Sequence, residues 1–173
     1  IVLTVPHGGS LKPANITDRT AGCGSPCVYA ACNTPNTSTC PIRTLSDTNT
    51  DDVATEMAAA LERLTSRRPH VVFVHLHRSK LDANREADEA AQGDADALQA
   101  YNEYFAFVDE AVASVQAGCG FGLVVDVHGQ AHSHQNIELG CVVVACHVVQ
   151  VLVRVRCLSV FGVFHRVWPR CSG

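Results

Sequence analysis

Three short apolar runs, each followed closely by histidine, constrain the fold more than any other feature of this sequence. Residues 2–5 precede His7, residues 71–76 lead into His77, and residues 121–127 precede His128. Continuous apolar runs of this length are typical of parallel strands that are covered on both faces. Because open α/β sheets place their chemistry beyond the carboxyl ends of such strands, the polar residues there are candidates for a functional site.

Two helical patterns separate these runs. Residues 51–67 carry apolar side chains on one face, at Val53, Met57, Ala60, Leu61 and Leu64. Residues 94–117 carry apolar side chains at spacings of three and four, at Leu98, Tyr101, Phe105, Val108, Val112 and Val115. Gly118 and Gly120 are expected to end the second helix. With residues 8–46 as a long irregular segment, this order predicts an α/β fold in which helices sandwich a mostly parallel or mixed sheet.

Length and composition limit the classes of protein to which the chain can belong. Its 173 residues predict one domain, and 47% apolar with 17% charged residues is typical of a globular protein. A net charge of -4 argues against nucleic acid as a main partner, because no basic field is available for phosphates. No apolar run reaches the length of a membrane span. The start at Ile1, without Met or a leader, predicts a fragment or a processed form.

A cysteine-rich insertion occupies residues 22–41, and its cysteines are Cys23, Cys27, Cys32 and Cys40. Two local disulfides with three alternative pairings are favoured over structural zinc, because the spacing lacks short paired intervals and a histidine. Asn15-Ile16-Thr17 and Asn36-Thr37-Ser38 match the acceptor pattern for N-glycosylation. Together these features favour a secretory or extracellular location, with a cytoplasmic one as the alternative.

The composition changes at residue 141. Residues 141–173 hold eleven Val, four Cys, four Arg and no Asp, Glu or Lys. This tail predicts either a set of buried strands or a segment that is not the natural continuation of the domain at residues 1–140.

Three residues are candidate metal ligands, each with a structural alternative. His128 follows Asp126 by two positions, as in sites where a carboxylate orients a metal-binding imidazole. His7 lies between a strand and two glycines, which allow a ligand to approach closely. Asp47 precedes the first helix, and its local pattern alone favours helix capping.

A second cluster follows the strand at 71–76 and contains Arg78, Asp82, Asn84 and Arg85. A solvated charged turn is one interpretation. The other is a pocket, since two guanidiniums suit a substrate that carries carboxylates. Two histidines, one carboxylate and a nearby arginine match most of what a zinc hydrolase needs, but the general base is not among them.

Four segments taken together resemble the N-formylglutamate amidohydrolase family, in a form similar to its eukaryotic branch. They are residues 6–9, 47–50, 78–86 and 126–132, and the resemblance covers residues 1–140. The family is related to zinc carboxypeptidases and aspartoacylases. The resemblance implies a phosphorylase/hydrolase-like α/β fold, one catalytic Zn²⁺, and hydrolysis of a linear amide in an N-formyl or N-acyl amino acid that carries a carboxylate.

The same resemblance implies roles for individual residues. His7, Asp47 and His128 would bind zinc, with Asp51 as the alternative carboxylate. Arg78 would polarise the scissile carbonyl as the catalytic residue. Asn84 and Arg85 would bind the substrate carboxylate. Asp126 and Asp82 would support the ligands.

The chain departs from the family pattern after Glu138, because no acidic residue follows to serve as the general base. We therefore expect a domain truncated at its C-terminal side, a tail that arose by intron read-through or a frameshift, and weak or absent activity. A non-catalytic metal-binding or interaction domain is the alternative. The sequence does not indicate an oligomeric state.

Overall fold

Five strands form one mixed sheet in this computed structural model, which describes residues 1–22, 42–130, 137–144 and 148–156, the last two ranges by their backbone. The strands are β1 (Val2–Val5), β2 (His70–Phe73), β3 (Gly122–Gln130), β4 (Glu138–Val144) and β5 (Val148–Arg156). Their order across the sheet is β2-β1-β3-β5-β4. Strand β1 pairs in parallel with β2 and β3, β3 pairs in parallel with β5, and β4 is antiparallel to β5.

The described ranges also contain three helices, which lie between strands along the chain: α1 (Thr50–Thr65), α2 (Ala87–Ala91) and α3 (Ala95–Cys119). Asp94 caps α3 by accepting hydrogen bonds from the amides of Asp96 and Ala97, and Gly120 ends it with a positive φ of 71°. Asp51 and Asp52 lie in the first turn of α1, where carboxylates offset the partial positive charge of the helix start.

Alternate side chains of β1 and β3 face opposite sides of the sheet, and each side is covered by one helix. Leu3, Val5, Val125 and Val127 are buried together with Ala54 of α1. On the other side, Val2 and Val124 are buried together with Ala111 of α3. The α/β fold with helices on both faces of a largely parallel sheet is therefore confirmed at this coarse level, and its cause is the mainly apolar character of the strands.

Several boundaries differ from the sequence prediction. Strand β2 ends at Phe73 rather than residue 76. The backbone that follows binds the irregular segment instead, since the Leu11 amide donates to the His75 carbonyl at 3.0 Å. Strand β3 runs to Gln130, so Asp126 and His128 lie within the strand rather than at its end. The short helix α2 was not predicted.

Two residues assigned to buried helix faces are exposed. Leu64 is 82% exposed, because it lies in the last turn of α1, and Leu98 is 40% exposed in the first turn of α3. The remaining predicted residues of α3 are buried or packed against the core: Tyr101, Phe105, Val108, Val112 and Val115.

Close backbone approach explains the two glycines after His7. A Cβ at Gly9 would lie 2.3 Å from the His75 carbonyl carbon, and one at Gly8 would lie 1.6 Å from Oδ1 of Asp51. Both positions lack room for a side chain, so the turn that carries His7 packs directly on the segment after β2 and on the start of α1.

Some predictions fall outside the described residues, namely those on the four cysteines from Cys23 to Cys40, on the Asn36 triplet, and on most of the tail. The backbone of residues 138–144 and 148–156 forms strands. None of the helices in the described ranges is long and apolar enough to cross a membrane.

Candidate metal centre

Three buried side chains meet at the carboxyl ends of β1 and β3. His7 follows β1, His128 lies near the end of β3, and Asp47 lies just ahead of α1. Nδ1 of His7 and Nδ1 of His128 lie 3.5 and 3.4 Å from Oδ2 of Asp47. A donor atom of each residue lies within 4.8 Å of the donors of the other two. The structure therefore brings together the three residues predicted as metal ligands.

Each histidine contacts a second carboxylate through Nε2, the ring nitrogen that faces away from Asp47. Nε2 of His7 lies 2.6 Å from Oδ1 of Asp82, and Nε2 of His128 lies 2.9 Å from Oδ2 of Asp126. A carboxylate only accepts, so each Nε2 carries a proton and the lone pair of a neutral ring lies on Nδ1, which faces Asp47. Metal-binding histidines are commonly oriented in this way.

Asp82 is fully buried and has several cationic or donor partners. Nε of Arg78 donates to its Oδ2 at 2.9 Å, the amide of Asn84 donates to Oδ1 at 3.1 Å, and Nη1 of Arg19 lies 3.5 Å from Oδ2. Burial alone would raise the pKa of Asp82, but the charges of Arg78, His7 and Arg19 hold it well below its usual range. Asp82 is thus an anion at neutral pH.

Asp126 has a different environment. The hydroxyl of Thr4 on β1 donates to its Oδ1 at 2.7 Å, in addition to the contact with His128 at Oδ2. Burial would lower the pKa of His128, but the adjacent carboxylates of Asp126 and Asp47 outweigh burial and raise it to about 9. Without a metal, His128 is therefore protonated at neutral pH.

Asp47 is held by backbone groups and does not cap α1. Its amide donates to the His7 carbonyl at 2.9 Å, and its Oδ2 accepts from the Gly129 amide at 2.8 Å. The residue at the N-cap position of α1 is Asn49, whose side chain makes no capping hydrogen bond. Burial would raise the pKa of Asp47, but the adjacent His128 and His7 rings outweigh burial and lower it. The capping interpretation is wrong, because the tertiary structure directs this carboxylate to the histidines.

The donor set fits a small divalent cation. Two ligands bound tetrahedrally to zinc at about 2.0–2.2 Å lie about 3.3–3.6 Å apart. The distances of 3.5 and 3.4 Å from Oδ2 of Asp47 to the two Nδ1 atoms agree with this spacing. Nδ1 of His7 and Oδ1 of Asp47 are also buried without hydrogen-bond partners in the described part of the chain. This buried group has the composition and spacing to hold a metal ion.

The raised pKa of His128 predicts that both the stability of the metal-free fold and the metal affinity depend on pH. Below pH 6.5, the pKa of His128 in the unfolded chain, the protonated ring contributes its full stabilisation to the metal-free fold. This contribution is lost as the pH rises through about 9, the pKa of His128 in the fold. Because a metal requires the neutral ring, its binding must displace that proton. We expect metal affinity to rise about tenfold per unit between roughly pH 7 and 9 and then to level off. Chelator-buffered zinc titrations at several pH values test this, and a flat profile contradicts it.

The predicted substrate residues lie beside this centre. Arg78 and Asn84 are each 2% exposed. Nη2 of Arg78 and both side-chain amide atoms of Asn84 are buried without hydrogen-bond partners among the residues the structure describes. Arg85 differs, because its Nε pairs with Glu89 at 3.3 Å and its Nη1 donates to the Asn84 carbonyl. The solvated-turn interpretation is therefore wrong for Arg78 and Asn84, which are buried.

Two residues of the site were missed in the sequence. Arg19 lies in the irregular segment, where no pattern distinguishes it from a surface arginine. Thr4 is part of an apolar strand, and a hydroxyl in such a run is a weak signal for a buried acceptor. Asp51, the alternative ligand, contacts Gly8 and is not in the group with the histidines.

Comparison with known proteins does not place the chain in a family: no protein-family model, curated protein or solved structure matches it.

Proposed function

We propose that this chain is an incomplete zinc-dependent amidohydrolase domain of the N-formylglutamate amidohydrolase type. Its fold would be phosphorylase/hydrolase-like and truncated on the C-terminal side. One observation carries the proposal: two buried histidines, each in contact with a second carboxylate, direct Nδ1 toward a shared buried aspartate. Two histidines and one carboxylate leave a coordination position open, which is typical of catalytic rather than structural zinc.

The substrate class follows from the groups beside the metal ligands. Buried donors without a partner cost free energy. Among the described residues, Nη2 of Arg78 and the amide of Asn84 are such donors, which supports a ligand with complementary acceptors. A carbonyl oxygen suits Arg78, and a carboxylate suits Asn84 together with Arg85. An N-formyl or N-acyl amino acid carries both groups within one small molecule.

The roles in hydrolysis divide among these residues. His7, Asp47 and His128 would hold Zn²⁺, which when bound supplies Lewis acidity and activates water for attack on a carbonyl. Arg78, fixed through Nε to Asp82, would direct Nη2 to the carbonyl oxygen and stabilise the charge that develops there. Asn84 and Arg85 would orient the substrate through its carboxylate.

Proton transfer is the step for which the described residues offer least. Asp47, Asp82 and Asp126 all have partners within the centre, so none of them is free to take a proton from water. This observation favours a second candidate function, a non-catalytic domain that binds a metal and an N-acyl amino acid. Both functions share the metal centre and differ in turnover.

We expect the zinc-loaded protein to bind N-formyl-glutamate and to release formate only slowly. The test combines calorimetric binding with a formate assay, and it compares the wild type with Asn84→Ala. A loss of one buried hydrogen-bonding group predicts binding weakened by roughly tenfold. Lys80→Met is the control, because within the described ranges its ammonium pairs with exposed Asp18 and donates to the Ile16 carbonyl.

The outcomes separate the two functions. Binding without formate release supports the non-catalytic domain. Slow release that requires zinc supports the truncated enzyme. Zinc-loaded protein that binds no N-acyl amino acid contradicts both, and turnover at the rate of an ordinary enzyme refutes the inference that the base is missing.

A further inference from the structure

Arg19 is buried at the junction of four chain segments near the metal centre. It is 4% exposed, and its backbone amide donates to the Ser79 carbonyl at 2.7 Å. Its Nε donates to the Glu89 carbonyl at 3.1 Å, and its Nη1 donates at 3.0 Å to the carbonyls of both Arg43 and Arg78. One guanidinium thus joins the segment before Asp47, the segment after β2, and α2.

The carboxylate next to this guanidinium is Asp82, which also orients His7. Nη1 of Arg19 lies 3.5 Å from Oδ2, the same oxygen that accepts from Nε of Arg78 at 2.9 Å. The other oxygen of Asp82 contacts His7 at 2.6 Å. Two guanidiniums on Oδ2 therefore leave Oδ1 directed at the imidazole.

The position of Arg43 adds a second connection. Arg43 precedes Asp47 by four residues, and its carbonyl is bound by Arg19. Between them, the Ser46 hydroxyl donates to the Gly9 carbonyl at 2.9 Å and accepts from the Arg78 amide at 3.3 Å. Arg19 thus contacts both the carboxylate behind His7 and the segment that delivers Asp47.

We propose that Arg19 is a positioning residue of the metal centre, which holds Asp82 and the segment at residues 43–47 so that His7 and Asp47 face one cation. This inference rests on the proposed metal-binding function. Side chains that contact a metal ligand directly, as Asp82 contacts His7, commonly change metal affinity by about 10–100-fold when they are removed. Arg19 lies one contact further away, so the lower end of that range, about tenfold, is expected for it. Arg19 acts through Asp82 and the Arg43 carbonyl and has no contact of its own with the ligand atoms.

A role confined to stability is the competing explanation. Removing a buried cation that binds three carbonyls destabilises any fold, whatever the function. The test must therefore measure a property of the metal centre in protein that is still folded. Zinc affinity and the visible absorption of bound Co²⁺ meet this requirement, because both report on ligand geometry.

The experiment uses the full chain as wild type, Arg19→Lys, Arg19→Gln and Lys80→Met. Lys80→Met is the matched control, because Nζ of Lys80 binds the Ile16 carbonyl of the same loop and its carboxylate partner is Asp18 rather than Asp82. Zinc affinity is measured by competition with a chromophoric chelator, and folding is checked by circular dichroism. Addition of free guanidinium at millimolar concentration to Arg19→Gln tests whether the missing group itself restores binding.

We expect Arg19→Gln to bind zinc about tenfold more weakly and to show an altered Co²⁺ spectrum. Arg19→Lys, which keeps the charge but not the planar fork, should be intermediate, and guanidinium should partly restore Arg19→Gln. Lys80→Met should bind like the wild type. Folded Arg19 variants with wild-type zinc affinity and spectrum would overturn the inference. If the wild type itself binds no metal, the proposed function fails instead.

Discussion

Replacing His128 by alanine is expected to weaken zinc binding by about 10²–10³-fold. Structural zinc sites bind with about 10–16 kcal/mol through four ligands, so the loss of one ligand removes about 2.5–4 kcal/mol. His7→Ala should have an effect of the same size, because the two rings occupy equivalent positions on either side of Asp47. Zinc content after dialysis and affinity by chelator competition measure the effect.

His70→Ala is the control for this experiment. His70 is an exposed histidine at the start of β2, remote from the carboxyl ends of the strands, so zinc affinity should not change. Equal affinity of the wild type and both His7→Ala and His128→Ala would show that zinc binds elsewhere or not at all, and the proposed centre would have to be abandoned.

The Asp82→Ala substitution is expected to lower the free energy of unfolding by about 3–5 kcal/mol. It leaves the buried guanidiniums of Arg78 and Arg19 without their shared carboxylate, and unpaired buried charges are strongly destabilising. Urea denaturation of the metal-free protein measures this effect without depending on activity. Asp82→Asn keeps the shape of the side chain and isolates the contribution of the charge.

Asp18→Ala provides a matched comparison. Asp18 also pairs with a cation, since its Oδ1 lies 3.0 Å from Nζ of Lys80, but its side chain is 64% exposed. Exposed ion pairs contribute little to stability because solvent screens them, so Asp18→Ala should lower the free energy of unfolding far less than Asp82→Ala. Equal costs for both substitutions would contradict the buried charge cluster.

The pH dependence of this comparison follows from the lowered pKa of Asp82. Because the pKa of Asp82 is lower in the fold than in the unfolded chain, the ionised carboxylate stabilises the fold at pH values above the unfolded pKa of 3.8. This stabilisation is lost as the pH falls through the pKa of Asp82 in the fold. The difference between the wild type and Asp82→Asn should therefore be largest near neutral pH and should shrink in acid.

Much of the central sheet was predictable because its signals are local. The apolar runs before His7 and His128 and the spacing of Tyr101, Phe105 and Val108 depend only on nearby residues, and they gave β1, β3 and α3 to within a few positions. The short helix α2 and the early end of β2 were missed. Their causes lie elsewhere in the chain, as in the hydrogen bond from Leu11 to His75.

The candidate site also combines features that local sequence predicts with features that depend on distant parts of the chain. The proximity of His7 and His128 follows from two neighbouring parallel strands, whose carboxyl ends lie at one edge of the sheet. Asp47 was ambiguous by local pattern, which favoured a helix cap. Only the fold shows its carboxylate accepting from Gly129, which lies 82 residues later in the chain.

The sequence by itself therefore determined the alternation of strands and helices, and with it the edge of the sheet where histidines and carboxylates gather. The tertiary structure alone decided which carboxylate faces the two Nδ1 atoms and which cations neutralise Asp82. The physical reason is that hydrophobic periodicity depends on residues that are close in sequence, whereas the partners of a buried charge depend on which residues the fold brings into contact. Arg19 illustrates the difference: it appears in the sequence as an ordinary loop arginine, and in the structure it contacts the carboxylate behind His7.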